Sequence, residues 1–278
     1  MKRWKKMVIT ALLMLLLITA AFYNGLVFRR YEINTDKLNP GECIRIVLIS
    51  DLHNHVYGDK QSKIISLIQK QNPDIIALAG DIADDQVPIV GTELFLAGIQ
   101  GMAPVYYVTG NHEFWSSDIK NIKDIIGRYG VTILEHNYER VKVGNSSIII
   151  GGVDDPDIVD FEQADFDWEG ELYNGFSHLT DYPEFKVLLS HRPELIDVYL
   201  KTDFDLVLSG HSHGGQVRIP LILNGLYAPD QGWFPKYAGG MYSHDNLTHI
   251  VSRGVSYNPR MPRIFNPPEI AVVDIKGI

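Results

Sequence analysis

Six short apolar runs, each followed by a polar cluster, constrain this chain more than any other feature. They are IRIVLIS (44–50), DIIALAG (74–80), PVYYVTG (104–110), SSIIIGG (146–152), FKVLLS (185–190) and FDLVLSG (204–210). The runs are continuous and rich in β-branched residues, which suits strands covered on both faces. Stretches with helical periodicity lie between several of them. KQSKIISLIQKQ (60–71) sets Ile64, Ile65, Leu67 and Ile68 on one stripe before Asn72-Pro73 stops it. SSDIKNIKDIIGRYG (116–130) opens with Ser/Asp capping chemistry and closes in glycine. PELIDVYLK (193–201) places proline at a first helical position. Strand–helix alternation predicts an α/β domain with its functional groups at the carboxyl ends of strands.

The N-terminus has a different character. MKRWKK precedes the apolar stretch 7–28, and Arg29-Arg30 follow. About 20 apolar residues span a bilayer, so residues 1–30 read as a single transmembrane anchor. A cleaved signal is the alternative, with Thr19-Ala20-Ala21 a weak cleavage match. Lys2, Arg3, Lys5 and Lys6 favour a cytoplasmic N-terminus and an exported domain on the extracytoplasmic side. Residues 31–43 read as a polar tether reaching about 45 Å when extended, and 44–278 as the folded domain.

Charge and cysteine content narrow the partners. The chain carries −9 overall, but residues 1–30 hold six Lys/Arg and no acid, leaving −15 on the remainder. A domain that acidic is a poor binder of phosphate backbones, so no nucleic-acid partner is expected. Cys43 is the single cysteine, which excludes an internal disulfide and a thiolate zinc cluster.

The polar residues just after the apolar runs carry the chemistry. Asp51 and His53 succeed the first; Asp81, Asp84 and Asp85 the second; Asn111 and His112 the third; His191 the fifth; His211 and His213 the sixth. One histidine after a strand is ordinarily a hydrogen-bonded structural residue, and one Asp a turn former. Five strand ends of six holding metal-capable groups is another matter. Imidazole suits Zn, Fe, Mn and similar ions, and carboxylates add hard oxygen donors. The i, i+2 pairs Asp51/His53 and His211/His213 put both side chains on one side of an extended chain. Two metals about 3.5–4 Å apart form a clamp for phosphoryl displacement and need a shared ligand, which a carboxylate can provide.

Asp51-x-His53, Gly80-Asp81-x-x-Asp84, Gly110-Asn111-His112-Glu113, His191 and Gly210-His211-Ser212-His213 occur in the order of the five motifs of the calcineurin-like metallophosphoesterases, and the chain resembles that family from about 44 to 216. GHSHGGQ and the tail RIFNPPEIAVVDI (263–275) are similar to its small membrane-associated or exported bacterial branch. Members there cleave lipid-linked pyrophosphate bonds or phosphodiesters. The resemblance implies a four-layer α-β-β-α sandwich of two mixed β-sheets and a dinuclear centre of divalent ions (Mn, Fe, Zn or Ni). Asp51, His53 and His213 would hold one metal, Asn111, His191 and His211 the other, with Asp81 bridging. His112 would be the catalytic histidine, oriented by Asp84. The expected activity is hydrolysis of a phosphodiester or pyrophosphate bond in an envelope lipid or precursor. A nucleotidase or phosphodiesterase acting on soluble substrates and a non-catalytic metal-bound scaffold are the alternatives.

Several features stay open at this level. Residues 154–184 contain eleven acids and no Lys or Arg, and read as a solvated excursion or a lid. Arg192 and Arg263 either meet phosphate or form structural ion pairs. His55 faces either solvent or the site. Tyr227, Trp233, Phe234, Tyr237 and Tyr242 fill the core or wall a substrate group.

Overall fold

A computed structural model describes residues 2–161, 165–257 and 261–278, and all six apolar runs are strands in it. In chain order the strands are β1 (Val27–Thr35), β2 (Cys43–Ile49), β3 (Ile75–Ala79), β4 (Val105–Val108), β5 (Thr132–Ile133), β6 (Asn137–Val143) and β7 (Ser146–Gly152). Then come β8 (Phe185–Leu189), β9 (Leu206–Ser209), β10 (Tyr227–Ala228), β11 (Gly232–Trp233), β12 (Gly240–His244), β13 (Leu247–Val251) and β14 (Glu269–Gly277). The helices are α1 (Lys2–Ala21), α2 (Ser62–Gln69), α3 (Val90–Ile99), α4 (Asn111–Trp115), α5 (Ile119–Arg128), α6 (Ile158–Phe161), α7 (Trp168–Phe176) and α8 (Ile196–Tyr199).

Two six-stranded mixed sheets form, ordered β1-β14-β2-β3-β4-β5 and β12-β13-β9-β8-β7-β6. Strand periodicity explains how each apolar run serves two layers. Ile46, Leu48, Ile75 and Ala77 of the first sheet meet Ile148, Val187, Leu206 and Leu208 of the second in one buried layer. Their neighbours Val47, Ile49, Ile76 and Leu78 turn the other way, against Ile64 and Ile68 of α2, Phe95 of α3 and Ile126 of α5. Across the molecule, Ile149, Leu188 and Val207 pack on Leu172 and Phe176 of α7 and Tyr199 of α8. The result is the α-β-β-α sandwich expected from the resemblance.

The N-terminal boundaries differ from expectation. The helix ends at Ala21, and residues 27–35 are a sheet strand, paired in parallel with Glu269–Gly277 from Val27↔Glu269 to Thr35↔Gly277. The segment expected as a 31–43 tether is therefore tied into the domain over much of its length. Its polar alternation is that of an edge strand with one wet face, and its partner lies more than 200 residues away. The acidic segment also belongs to the fold, because Asp154, Asp155, Trp168, Leu172 and Phe176 are buried. It is not a solvated excursion, and its Asp157 lines a cleft; residues 162–164 lie outside the described residues.

Candidate metal centre

Every expected ligand follows the carboxyl end of a strand: Asp51 and His53 after β2, Asp81 after β3, Asn111 after β4, His191 after β8, His211 and His213 after β9. The chain turns sharply to deliver them. Asp51, His53, Asp81, His211 and His213 have φ of 54°, 48°, 51°, 67° and 46°, a region non-glycine residues seldom occupy. Such strain gathers at functional sites, where the surroundings hold it in place. Gly80, at φ 79°, also makes room: a Cβ there would lie 2.4 Å from His191 Nδ1.

A carboxylate that sequence reading gave no role holds two of these loops together. Glu113 is fully buried and accepts backbone N–H bonds from Asp81 (3.0 Å), Ile82 (2.7 Å), Ala83 (2.9 Å) and Gly110 (2.8 Å). Burial and the nearby Asp81 charge raise its pKa to about 7, against the pull of those N–H donors. The acidic residue of a GNHE turn was visible; its four partners in two loops were not.

Six of the seven side chains converge in two groups, and the seventh, Asn111, lines the same cleft as His53, Asp81, His211 and His213. Asp51, His53 and His213 form one group with potential ligand atoms within 4.8 Å of one another, and Asp81, His191 and His211 a second. Asp81 Oδ2 links the groups, 3.1 Å from His191 Nε2 and 3.6 Å from His53 Nε2. His213 Nε2 is 3.6 Å from Asp51 Oδ1, and His211 Nδ1 is 3.2 Å from His191 Nε2. The far nitrogens are tied from behind. His191 Nδ1 donates to the Ala79 carbonyl (2.8 Å), His53 Nδ1 to Asp84 (3.0 Å) and His211 Nε2 to Asp230 (2.7 Å). That pattern leaves lone pairs of Nε2, Nε2 and Nδ1 aimed into the cluster, as metal-ligating histidines require.

Three atoms test whether cations fit. Asp51 Oδ2, His53 Nε2 and Asn111 Oδ1 are buried and make no hydrogen bond among the described residues. Orphaned buried acceptors of this kind are costly unless something positive satisfies them. The electrostatics agree. Burial opposes charge on His191, yet Asp81 and Asp51 drive its pKa up to about 10. Asp51 and Asp81 lie below the usual carboxylate range despite burial, mainly through His213 and His191 respectively. The cluster draws in positive charge, and its His/Asp/Asn donor set suits divalent ions.

His112 stands beside the ligands, its ring centroid 4.5 Å from that of His53. Its backbone N–H donates to Asp81 Oδ1 at 3.0 Å, and its Nδ1 to Asp85 Oδ1 at 2.6 Å. This corrects the expectation for Asp84. Asp84 Oδ2 is 3.0 Å from His53 Nδ1 but 3.7 Å from His112 Nδ1, while Oδ1 accepts the N–H groups of Gln86 and Val87. Anchored in its own turn, Asp84 is bonded to the expected ligand His53, and its neighbour Asp85 to His112.

The two open arginines resolve differently. Arg192 donates to Asp155 (2.6 and 2.9 Å) and Asp157 (2.8 Å) and also pairs with Asp230, so its charge is spent internally. Arg263 is 2% exposed, donates to the Arg253 carbonyl at 2.6 Å and lies 3.4 Å from His213 Nδ1. Among the described residues it makes no ion pair, and burial lowers its pKa to about 10.

His53, Asp81, Asn111, His112, His211 and His213 line a cleft of about 940 Å³, whereas Asp51 and His191 are fully buried and outside its lining. Val56, Val87, Trp115, Tyr227, Tyr257 and Met261 give it apolar walls, and His55 faces it beside Tyr257. Of the five aromatic residues after the last motif, Tyr237 is buried and Tyr227 lines the cleft, whereas Trp233 and Phe234 are each 68% exposed.

The calcineurin-like phosphoesterase profile matches residues 44–215. A metallophosphoesterase of Aquifex aeolicus is 30% identical over 89% of this chain and 91% of its own length. The transmembrane protein with metallophosphoesterase domain of Danio rerio is 29% identical over 88% of this chain, which spans 56% of that longer protein. Among solved structures, the NAD nucleotidase of Haemophilus influenzae superimposes with a TM-score of 0.53 at 16% identity, over 78% of this chain and 46% of that one. A sulfate thiohydrolase, SoxB, from Thermus thermophilus gives 0.53 at 13% identity, over 78% and 53%. These two likenesses concern the fold. With the profile, the Aquifex relative and the converging ligand set in agreement, the chain belongs to the calcineurin-like phosphoesterase family, whose members are metal-dependent phosphoester hydrolases with a dinuclear divalent centre.

Proposed function

We propose that this protein hydrolyses a phosphodiester or pyrophosphate bond in an amphipathic substrate, an envelope lipid or lipid precursor. The observation that carries the reading is the composition of the cleft: a polar floor of metal-capable groups beneath Trp115, Tyr227, Tyr257 and Met261. Such walls suit an apolar or aromatic group attached to the reacting phosphoryl. A terminal monoester dianion would be served by several free cations, yet Arg192 is neutralised and Arg263 alone remains unpaired among the cleft's described cations. A phosphoryl esterified on both sides fits that supply better.

Asp51, His53 and His213 would hold one cation and Asn111, His191 and His211 the other, with Asp81 between them. Two divalent ions there supply electrophilic charge to a phosphoryl group and make water nucleophilic near neutral pH. The chain's own part is positional. Asp84, Asp230 and the Ala79 carbonyl fix ligand tautomers, and Glu113 holds the loops. Asp85 accepts from His112 Nδ1, which leaves Nε2 to carry a proton to the departing oxygen. Arg263 offers its guanidinium to a phosphoryl oxygen entering beside His213.

The test uses the purified full chain in detergent, with metal counted and Mn²⁺ supplied. Bis-p-nitrophenyl phosphate should be hydrolysed faster than p-nitrophenyl phosphate. A reversed preference would sink the diester reading. Phosphorus release from envelope lipid extracts then tests the lipid assignment, and inertness there beside turnover of soluble diesters would overturn it.

A further inference from the structure

The stretch 211–244 is out of character with the domain around it. It holds one acid, Asp230, together with Arg218 and Lys236, and Asp230 turns inward to His211 and Arg192. The same stretch displays large apolar side chains to solvent: Leu221 is 108% exposed, Ile222 82%, and Trp233 and Phe234 each 68%. They sit on two adjoining turns. Ile219 and Leu223 close one, with the Ile219 N–H on the Leu223 carbonyl at 3.0 Å. The other is the β10–β11 hairpin, which follows once the Leu226 N–H has reached the Gly215 carbonyl at 2.8 Å and closed the loop that carries the first.

The first of these turns lies by the foot of α1, and the hairpin borders the cleft through Tyr227 and Asp230. The Phe265 N–H donates to the Ala21 carbonyl at 2.7 Å, and Arg218 N–H to the neighbouring Ile264 carbonyl at 2.9 Å. A groove of about 340 Å³ is bounded by Arg29, Arg218, Leu221, Leu223 and Phe265. Strand register puts this foot at the metal end of the sheet. Val27 pairs with Glu269, whose N–H meets the Gly254 carbonyl at 3.1 Å, and the Ser256 N–H meets that of Asp51 at 2.9 Å.

We infer that the Ile219–Leu223 turn, with Trp233 and Phe234, inserts into the headgroup–acyl boundary of the leaflet where α1 emerges, as a second membrane contact beside the cleft. Exposed aromatic and aliphatic side chains with few acids and flanking arginines are what an anionic lipid surface recognises. Continuity with α1 selects lipid over a protein partner. The inference rests on α1 lying in a bilayer and is independent of which phosphoester is cleaved.

Cys43 is exposed and the single cysteine, so a Cys43→Ser chain can carry one environment-sensitive fluorophore through Leu12→Cys, Leu221→Cys, Ile222→Cys or Gln100→Cys. The full chain is reconstituted in vesicles of phosphatidylcholine with a minor fraction of phosphatidylglycerol. Labels at 12, 221 and 222 should be blue-shifted and quenched by a lipid bearing a nitroxide high on its acyl chain. The label at 100, before the opposite end of β4, should be quenched by aqueous iodide alone. Quenching at 12 with 221 and 222 open to iodide overturns the second contact and spares the anchor. Iodide access at 12 overturns both. Retained metal content in each variant shows that the labelled chain is folded.

Discussion

At the scale of single residues, the proposed site predicts that the two adjacent carboxylates after β3, one bonded to His53 and the other to His112, act separately on binding and on turnover. Removing the Asp84 brace from His53 should weaken metal affinity by about 10–100-fold. Activity of Asp84→Asn is therefore expected to recover as metal is raised. Asp85→Asn should lose kcat that added metal does not restore, because its partner is His112. His112→Asn should lower kcat by roughly 10²–10⁴ with metal content unchanged. Metal titration of the three variants, read as kcat and as bound ions, separates these outcomes. Sequence made the candidate ligands legible, because each falls directly after an apolar run. It did not separate Asp84 from Asp85: one position of difference is decided by a turn in which Asp84 is held by two backbone N–H groups.

At the scale of elements, the site depends on how loops are held to strand ends. Glu113 accepts four N–H groups, and an amide at that position offers one oxygen in place of two. Leaving donors unpaired costs about 1–3 kcal/mol each, so Glu113→Gln should lower Tm and release metal together in a thermal melt followed by metal analysis. Gly80→Ala should act on metal more than on the melt, since the new Cβ would press on His191 and disturb its bond to the Ala79 carbonyl. The six buried strands were legible because both of their faces are covered. β1 was hidden between an apolar helix and polar residues, its partner at the far end of the chain. α3 was passed over because Gly91, Thr92 and Gly98 interrupt the helical pattern that its buried Phe95, Leu96 and Ile99 complete.

At the scale of the whole molecule, acid should unfold the protein partly through a residue remote from the chemistry. His249 is fully buried on β13, and desolvation, reinforced by His244, lowers its pKa to about 3. Unfolded, it would titrate near 6.5. Above that pH both states are neutral and the group contributes nothing. As pH falls from about 6.5 towards 3, the unfolded chain takes up the proton first, so stability declines by about 1.4 kcal/mol per pH unit. Urea midpoints at pH 7 and pH 4.5 should differ less in His249→Gln than in the parent chain; an equal difference would clear His249 of the effect. What no local pattern reveals is the meeting of two sheets along one rim, since Asp81 and His191 touch across 110 residues of sequence.

The knitting of β1 onto β14 has a final consequence. Between Ala21 and Val27 run residues 22–26 alone, a leash of about 18 Å at full stretch. Were α1 embedded, as the anchor reading has it, the enzyme would patrol a thin shell of fluid at the surface rather than the bulk. Its velocity should then follow the mole fraction of substrate within the surface, so adding inert lipid at fixed total substrate should slow it. Kinetics in mixed vesicles would register that dilution directly, and a rate indifferent to it would mean that catalysis happens away from the leaflet.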